Sequence, residues 1–574
     1  MQLDTLVSAL FFDAVFLIVL TISAVYVGRY CAHILFGGEI KVRWLARIEK
    51  GFYRLLGEGA TSEQTPRRYT MSVLAVSVLS LVLLFAMQML QKYIGLNPTH
   101  LAAPDWRIAI NTAVSFVTNT NWQTMAVTHN LSFFVSMLGL TVQNFLSAAV
   151  GIAVFCVITR GFSRTKSNTV GNFFVDVTRS ILYILLPLSI VLGVALIAAG
   201  VVQTLTPSLH YTELASGIRS VISLGPVASQ EAIKQLGTNG GGFYAANSAY
   251  PLENSTFFSN ILELFALLLI PAALCFAFGR GVGNKKQGWT LYVVMLILFS
   301  VATFGIAYSE YKLNPHYKGV SMSSTVSGNL EGKELRNGVT TSALWAGATT
   351  AASNGSVNST LDSFTPVSGF VLLALMQTGE VVFGGVGSGL YGLLAFCILA
   401  VFIAGLMVGR TPEFLGKKIE PFEMKMVCLV ILVPSFLILG TTAVATLLPS
   451  AQGWLGNPGA HGFSELLYTF TSMGANNGSS FAGMKVDSTF VTLAGSLSML
   501  LARFVPLIAV IYFSGSLARK SLVASSAGTL STTNTTFVIL LLIVVVLIGV
   551  LSFLPALSLG PLADFFNTAH VIGR

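Results

Sequence analysis

The stretch Gly237-Thr238-Asn239-Gly240 lies between two apolar regions that are each long enough to cross a membrane. Three more short polar loops occur in the same setting: Asn119-Thr120-Asn121-Trp122, Ala352-Ser353-Asn354-Gly355 and Ala475-Asn476-Asn477-Gly478. Aligned on Asn121, Asn239, Asn354 and Asn477, the four loops lie 118, 115 and 123 residues apart. This near-equal spacing indicates an internal repeat.

The composition places the chain in a membrane. Hydrophobic residues make up 54% of its 574 residues and charged residues only 10%, whereas a soluble protein carries about 25% charged residues. Many windows exceed the roughly 18 apolar residues that mark a spanning helix. The first of them, near 7–28, has no basic segment before it and no small-residue cleavage site after it, which favours a retained span over a signal peptide.

These features predict an all-α polytopic membrane protein with four fused repeats around a pseudo-four-fold pore. Each repeat consists of a first span, a short pore helix, a polar filter loop and a second span, and one further transmembrane helix flanks the repeats at each end. The prediction comprises ten spans and four re-entrant helices. The pore helices are expected near 106–117, 227–236, 341–351 and 463–473.

The expected boundaries divide the chain into seven segments. They are 1–30 (first transmembrane helix), 31–69 (cytoplasmic connection), 70–160, 161–280, 281–410 and 411–520 (pore repeats 1 to 4), and 521–574 (last transmembrane helix and tail).

Basic residues predict the orientation. Most of the 32 Lys and Arg residues fall after the first span, between the repeats or after the fourth repeat. The positive-inside rule therefore places these connections in the cytoplasm, and the four filter loops and both termini on the outer side. The net charge of +9 requires no nucleic acid, because anionic lipid of the bilayer and a cytoplasmic partner account for it.

The loops have the chemistry of a cation filter. Polar backbone at membrane depth is tolerated only inside protein or along a water-filled path, and rings of backbone carbonyls can replace the hydration shell of K+. Gly240, Gly355 and Gly478 permit a positive φ, so that successive carbonyls can face one way. Asn and Thr side chains can either tie the loops together or offer further oxygens. The candidate K+ ligands are Asn119, Thr120, Asn121, Gln123, Thr238, Asn239, Gly240, Ser353, Asn354, Gly355, Asn476, Asn477 and Gly478.

The first loop differs from the other three, because Trp122 stands where they have glycine and Gln123 follows it. The ring is therefore expected to depart from four-fold symmetry. A single Gly-Asn pair would indicate no more than a turn; the four-fold recurrence is what favours a pore.

Two features below the filter suggest a gate. Glu380 precedes a glycine-rich run that includes Gly385 and Gly387, and this run should break the second span of repeat 3 into a loop across the pore. Arg503 is a second charge within an apolar run, and intramembrane charges are functional candidates by default. Close helix packing for the glycines and a structural ion pair for Arg503 are the alternatives.

Six motifs carry a resemblance to a known family. They are Thr118-Asn119-Thr120-Asn121-Trp122-Gln123, Gly237-Thr238-Asn239-Gly240-Gly241-Gly242-Phe243, Gly379-Glu380-Val381-Val382-Phe383-Gly384-Gly385-Val386-Gly387-Ser388-Gly389, Gly409-Arg410-Thr411-Pro412-Glu413, Asn476-Asn477-Gly478-Ser479-Ser480-Phe481-Ala482-Gly483 and Arg503-Phe504-Val505-Pro506. Over essentially its full length the chain resembles the A subunits of Kdp-type potassium-transporting ATPase complexes, within the superfamily of K+ transporters with four fused span–pore–span units. The third loop, Ser353-Asn354-Gly355, departs from the Ser-Cys-Gly of some members.

The resemblance implies a function in a complex. It implies that the chain binds K+ from the outside and passes it through an intramembrane tunnel to a P-type ATPase subunit, that small membrane subunits complete the complex, and that the complex lies in the bacterial inner membrane. K+ would be the transported ion, with no nucleotide bound by this chain. A self-contained K+ channel or symport-type uptake protein is the alternative.

The residues themselves are consistent with a non-catalytic subunit. The sequence contains no G-x-x-x-x-G-K-[ST] motif, no Asp-Lys-Thr-Gly phosphorylation motif and no soluble segment large enough to fold around ATP. The chain is therefore expected to be no enzyme by itself.

Overall fold

The structure is a computed structural model that describes residues 2–37, 43–57, 59–214, 217–312, 328–379, 381–409, 411–523 and 530–572. Within these ranges, ten helical segments are long and apolar enough to cross a membrane. This confirms the predicted all-α fold with about ten spans.

Two helices precede the repeats: α1 (Gln2–Phe36) and α2 (Arg43–Leu56). The helix α1 contains the first membrane span. The helix α2 is shorter and lies in the segment that was expected to be a cytoplasmic connection. Repeat 1 contains α3 (Pro66–Leu90), the pore helix α4 (Trp106–Val117), the short α5 (Val127–Asn130) and α6 (Val142–Ser163), which continues a π-helical turn at Val135–Thr141.

Repeat 2 begins with a span that a π-helical turn, Ser180–Leu185, divides into α7 (Phe173–Arg179) and α8 (Leu186–Ala198). An antiparallel hairpin of β1 (Ser208–Thr212) and β2 (Arg219–Ser223) follows, with Ser208 opposite Ser223. The pore helix α9 (Val227–Leu236) and the second span α10 (Phe257–Gly281) complete the repeat.

Repeat 3 contains α11 (Lys285–Lys312), the pore helix α12 (Gly338–Ala351), and a second span broken into α13 (Pro366–Gln377) and α14 (Ser388–Val408). A two-residue hairpin of β3 (Glu413–Phe414) and β4 (Lys417–Lys418) leads to repeat 4. That repeat contains α15 (Pro421–Thr446), the pore helix α16 (Gly459–Gly474) and α17 (Thr489–Arg519). The last span is α18 (Thr535–Leu557), which a π-helical turn at Ser558–Leu562 joins to α19 (Ala563–Ile572).

The second spans of the repeats form the inner layer. In α6 and α10, 83% of the most apolar window is buried, against 22% in α3 and 17% in α15, which are first spans. Close approach needs small residues, and Gly161 of α6 lies directly against Ser514 of α17. The apolar outer faces of the first spans are left for lipid, while the inner layer surrounds the ends of the pore helices.

Candidate functional site

The four pore helices end in loops with one shared backbone pattern. The second residue after each helix end has a positive φ (Asn119, Thr238, Ser353 and Asn476), and so does the residue two places later (Asn121, Gly240, Gly355 and Gly478). In each loop the N–H of the residue between them donates to the carbonyl five residues back, in the last turn of the pore helix. The helix C-termini, with their partial negative charge, therefore lead directly into the loops.

This pattern corrects the alignment of the first loop. The residue equivalent to Asn239, Asn354 and Asn477 is Thr120, whose N–H donates to Ser115 O at 2.9 Å, as Asn239 N–H donates to Lys234 O at 2.9 Å. The equivalent loops are thus 119, 115 and 123 residues apart. Alignment on Asn121 was wrong by one residue, because asparagine tolerates the left-handed conformation that the other repeats give to glycine.

Asn121, not Trp122, occupies the glycine position of repeat 1, with a φ of 49° against 76°, 88° and 99° in Gly240, Gly355 and Gly478. The expectation that Trp122 replaces the glycine is therefore wrong. The ring nevertheless departs from four-fold symmetry here, since the Asn121 amide donates to Gly240 O at 3.1 Å.

The loops pack backbone to backbone around a closed ring. A Cβ on Gly240 would strike Asn354 O, one on Gly355 would strike Asn477 O, and one on Gly478 would strike Thr120 O, each closer than real Cβ contacts. The contacts run in chain order and return from repeat 4 to repeat 1. Only glycine fits at these three positions, for lack of space as well as for φ.

Side chains at the first loop position join neighbouring repeats. Asn119 donates to Thr238 O at 3.0 Å, Ser353 donates to Asn476 O at 2.9 Å, and Asn476 donates to Thr120 Oγ1 at 2.9 Å. Thr238 differs, because its hydroxyl donates to its neighbour Gly237 O at 2.8 Å and accepts a hydrogen bond from outside the ring.

The asparagine amides at the central position hold the loops in place. Asn354 donates to Lys234 O at 3.2 Å, and Asn477 donates to Thr349 O at 2.8 Å; each thus binds the pore helix of a neighbouring repeat. Asn239 donates to Asn119 Oδ1 at 2.5 Å. The side-chain oxygens of Asn354 and Asn477 also accept hydrogen bonds, from the Ser356 and Ser479 N–H groups, so the backbone carbonyls are the oxygens available to an ion at these two positions. Asn239 Oδ1, by contrast, has no hydrogen-bond partner among the described residues.

A cavity of about 240 Å³ lies next to the ring, lined by Asn121, Gln123, Gly355 and Gly478 among others. Gln123 Oε1 accepts a hydrogen bond from the Gly242 N–H at 2.6 Å. Gln123 therefore joins repeat 1 to repeat 2 at the border of this cavity.

Repeat 2 contains a fully buried ionic cluster that was not predicted from the sequence. Lys234 of α9 lies 2.6 Å from Glu231 and 3.7 Å from Glu253, and Gln235 donates to both Glu231 and Glu263. Lys234 also supplies the carbonyl that holds Asn239. The cluster joins residues from three elements, so no local sequence pattern could have indicated it.

The glycine-rich segment of repeat 3 forms the predicted loop. Helical structure stops after Gln377 and resumes at Ser388. The Val386 N–H donates to Thr238 Oγ1 at 2.9 Å, which fixes the loop directly to the ring. Gly387, with a φ of 85°, packs against the backbone of Gly151 in α6, and a Cβ on either glycine would strike the other segment. Gly385 lies in the same loop, while Glu380 falls outside the described residues.

Arg503 of α17 lies beside this loop. It is 6% exposed, and its guanidinium is 3.5 Å from where a Cβ on Gly151 would be. Among the described residues, no carboxylate pairs with it. The structural ion pair considered from the sequence is thus not seen among the described residues, and the Arg503 side chain lines a cavity that also borders Asn476 of the ring.

A narrow cavity of about 60 Å³ connects these features. It borders Asn476 of the ring, Gly379 and Ser388 of the broken span, and Arg503. Residues of α15 and α18, Gly549 among them, also line it. The cavity near the ring therefore lies against α15 and the last span.

One group of side chains has the composition of a metal site. Asp362, His461 and Glu465 bring ligand atoms within 4.8 Å of one another. Both ring nitrogens of His461 are already engaged, by Asp362 at 3.1 Å and Asp564 at 2.9 Å. These hydrogen bonds raise the pKa of His461 to about 10, so the group acts as an ion-pair bridge between α16 and α19.

Four span–pore–span repeats around a ring of polar loops define the fold class of the four-repeat potassium transporters. The potassium transporter TrkH of Vibrio parahaemolyticus has a similar structure, with a TM-score of 0.50 over 77% of this chain and 84% of its own, at 14% sequence identity. That likeness concerns the fold alone.

Sequence comparison defines the family more closely. The potassium-transporting ATPase potassium-binding subunit of Listeria monocytogenes serotype 4b is 53% identical over 97% of this chain and 98% of its own. The subunit of the same description from Clostridium botulinum is 49% identical over 96% and 98%. The family model "Potassium-transporting ATPase A subunit" matches residues 14–566, and the chain belongs to that family.

Proposed function

We propose that this chain is the K+-binding and translocating subunit of an ATP-driven, high-affinity potassium uptake complex. It binds extracytoplasmic K+ in the ring of loops and delivers the ion through an intramembrane tunnel to a P-type ATPase subunit. The names of its relatives support the potassium-binding role and the presence of an ATPase. The chain itself performs no catalysis and binds no nucleotide.

The observation that carries the proposal is the closed ring of loop backbones. Three glycines each lie against the carbonyl of the next repeat, and the asparagine amides are occupied in holding the loops. A rigid ring of carbonyl dipoles can compensate the desolvation of K+ without a fixed counter-charge. The four pore helices add the negative ends of their dipoles.

The region below the ring favours sideways delivery. The loop of repeat 3 is fixed to Thr238 and packed against Gly151, and the Arg503 cation lies beside it. Together they would close the direct route to the cytoplasm by backbone obstruction and by repulsion of K+. The cavity against α15 and α18 is the remaining path.

Membrane orientation and partners follow from the same proposal. The chain lies in the bacterial inner membrane with its filter loops and both termini outside, as the distribution of Lys and Arg favours. The P-type ATPase subunit, and small membrane subunits with it, bind in the membrane and receive the ion.

The competing function is a self-contained K+ channel or symport-type uptake protein. The fold that this chain shares with the potassium transporter TrkH is compatible with that function as well. Flux of K+ through the reconstituted chain, with and without the ATPase subunit, distinguishes the two. A pump subunit should conduct little alone and transport K+ with ATP in the complex. Large passive flux through the unmodified chain alone would refute the proposal.

A further inference from the structure

The buried ionic cluster of repeat 2 contains three carboxyl groups and one ammonium group. Its members, each at most 1% exposed, are Glu231, Lys234, Glu253 and Glu263. With every group ionised, the cluster would carry a net charge of −2 inside the protein. Buried charge without a partner is costly, above all in a membrane protein. The cluster therefore has to gain a proton or a cation.

The partners of each carboxyl group indicate which of them are ionised. Glu231 Oε2 lies 2.6 Å from Lys234 Nζ. Glu253 accepts hydrogen bonds from two backbone N–H groups on Oε1, and its Oε2 lies 3.7 Å from the same ammonium group. Such donors and cations favour the ionised form of a carboxyl group. Glu263 has no cation beside it among the described residues, so it is the carboxyl group whose charge nothing compensates.

The contacts of Glu263 require one more hydrogen than its neighbours supply. Its Oε2 lies 2.8 Å from Ser248 Oγ, and the same hydroxyl lies 3.0 Å from Glu231 Oε1. A serine hydroxyl has a single hydrogen and can serve only one of these two contacts. The Gln235 amide donates to both carboxyl groups directly, at 2.8 and 3.1 Å, and leaves the two contacts with Ser248 as they are.

The two carboxyl groups are also close to each other. Glu263 lies within hydrogen-bond reach of Glu231, and two carboxylates at such a separation do not both ionise. Because Lys234 holds Glu231 in its ionised form, the missing hydrogen belongs to Glu263.

We propose that Glu263 is a proton-binding site and stays protonated in the folded protein at neutral pH. The Glu263 Oε2–H group donates to Ser248 Oγ, and the Ser248 hydroxyl donates in turn to Glu231 Oε1. Each contact then has one donor and one acceptor, and the net charge of the cluster falls from −2 to −1. Lys234 and Gln235 direct their own hydrogens at the same oxygens, which favours a proton over a metal cation as the occupant.

The protonated carboxyl group is connected to two repeats of the ring. Gln235, which donates to Glu263, accepts a hydrogen bond from Ser356 Oγ at 3.1 Å on its Oε1. The neighbouring Lys234 O accepts one from Asn354 Nδ2 at 3.2 Å. Glu263 is therefore a positioning residue, which acts on the loops of repeats 2 and 3 through Gln235 and the pore helix. This role rests on the proposed function, in which the ring binds K+.

The first test is the infrared spectrum of the full chain in lipid nanodiscs at neutral pH. A protonated carboxyl group has a C=O stretching band that is separate from the bands of carboxylates, and Glu263→Gln should remove one such band. Glu310→Gln is the matched control, since Glu310 is equally buried but pairs with Lys333 at 2.9 Å, and it should leave the band unchanged. If Glu263→Gln removes no carboxylic acid band, the proposal is overturned.

The second test compares two neutral substitutions in the assembled complex. Glu263→Gln keeps an uncharged side chain that can donate to Ser248, so the K+ concentration for half-maximal ATPase activity should change less than about threefold. Glu231→Gln removes the ionised partner of Lys234 and should raise that concentration about tenfold or more. The reverse order of the two effects would place the proton on Glu231, and equal effects would show that neither carboxyl group is the protonated one; both results overturn the assignment.

The two tests separate this inference from the function on which its second part rests. A metal cation in place of the proton would leave Glu263 ionised, and the infrared band would be absent. A chain that has the band, in a complex whose ATPase activity does not depend on K+, would contradict the proposed function and still support the protonated Glu263.

Discussion

Gly151→Ala tests whether the repeat 3 loop blocks the direct route for K+. Gly151 lies in α6, and a Cβ added there would fall far inside contact distance of Val386 O. The Val386 N–H holds Thr238 of the ring. One added methyl group should therefore push the loop away from the position that closes the path.

The size of the effect follows from two opposing terms. Overpacking by a methyl group in a tight core costs about 1–3 kcal/mol, and the hydrogen bond that holds the loop to Thr238 contributes about 1 kcal/mol. The free-energy cost of overpacking equals or exceeds the contribution of the hydrogen bond to Thr238, so the loop should move. A change of 1–3 kcal/mol shifts the ratio of open to closed loops about 5- to 150-fold.

The assay is passive K+ flux into liposomes that contain the chain without an ATPase subunit. Gly151→Ala should raise this flux within the range given above, and in the complex it should lower the amount of K+ transported per ATP. Gly440→Ala is the matched control, because it adds the same methyl group to a helix at a point where no atom outside the helix's own neighbouring backbone lies within 4 Å of the added Cβ. A correctly folded Gly151→Ala chain with unchanged flux would refute the idea that this contact keeps the route closed.

Three further predictions concern the ring and its surroundings. Gly240→Asp should weaken K+ affinity or relax selectivity, since its side chain would strike Asn354 O; unchanged uptake at low K+ would mean that the ring is wrongly placed. Gln123→Arg should raise the K+ concentration for half-maximal ATPase activity of the complex about 5- to 30-fold, because a unit charge at roughly 7 Å repels K+ by about 1–2 kcal/mol at an effective dielectric of ~20–40. Gln123→Met is the control, because it removes the hydrogen bond to the repeat 2 loop without adding a charge. An unchanged K+ dependence in Gln123→Arg would contradict the placement of Gln123 near the ion. Hydrogen bonds to two carboxylates raise the pKa of His461 to about 10. Its charged form therefore stabilises the fold fully below pH 6.5 and loses that effect as the pH rises to 10. The melting temperature of His461→Gln should lie below that of the unmodified chain at neutral pH and converge with it near pH 10, and a difference that stays constant with pH would contradict the ion-pair bridge.

The sequence predicted the fold because the determining signals are local. Apolar runs of membrane length define the spans, and the structure begins and ends the pore helices Trp106–Val117 and Val227–Leu236 at the predicted residues. The glycines near Gly385 also predicted correctly that the second span of repeat 3 breaks. In each case a few neighbouring residues determine the backbone.

The register of the first loop could not be read from residue types. Asn121 adopts the positive φ that glycine adopts in the other repeats, so matching asparagine to asparagine shifted the alignment by one residue. Backbone conformation was the conserved feature of the repeats, and Thr120 carries it at the central position with a different side chain. Only the hydrogen bonds to the pore helices reveal this equivalence.

Other features depend on contacts between distant segments. The cluster around Lys234 combines an i,i+3 pair of the pore helix, Glu231 and Lys234, with Glu253 of the following loop and Glu263 of α10, and the fold is what brings these three elements together. The helix α2, by contrast, had a readable pattern. Its basic residues recur at helical spacing between apolar ones, in the segment 31–69 that was expected to be a cytoplasmic connection.

An asymmetric contact at Thr238 links the ring to the broken span of repeat 3. Asn119, Ser353 and Asn476 each hold the next repeat, whereas Thr238 accepts the Val386 N–H. Any shift of that loop must therefore act on the repeat 2 part of the ring first. Because coupling between two binding events is reciprocal, K+ in the ring should in turn hold the loop in its closed position. Under the proposed function, an occupied ring with a closed direct route would leave the ion only the cavity against α15 and α18, and an ATP-driven partner on that side would then control the flux.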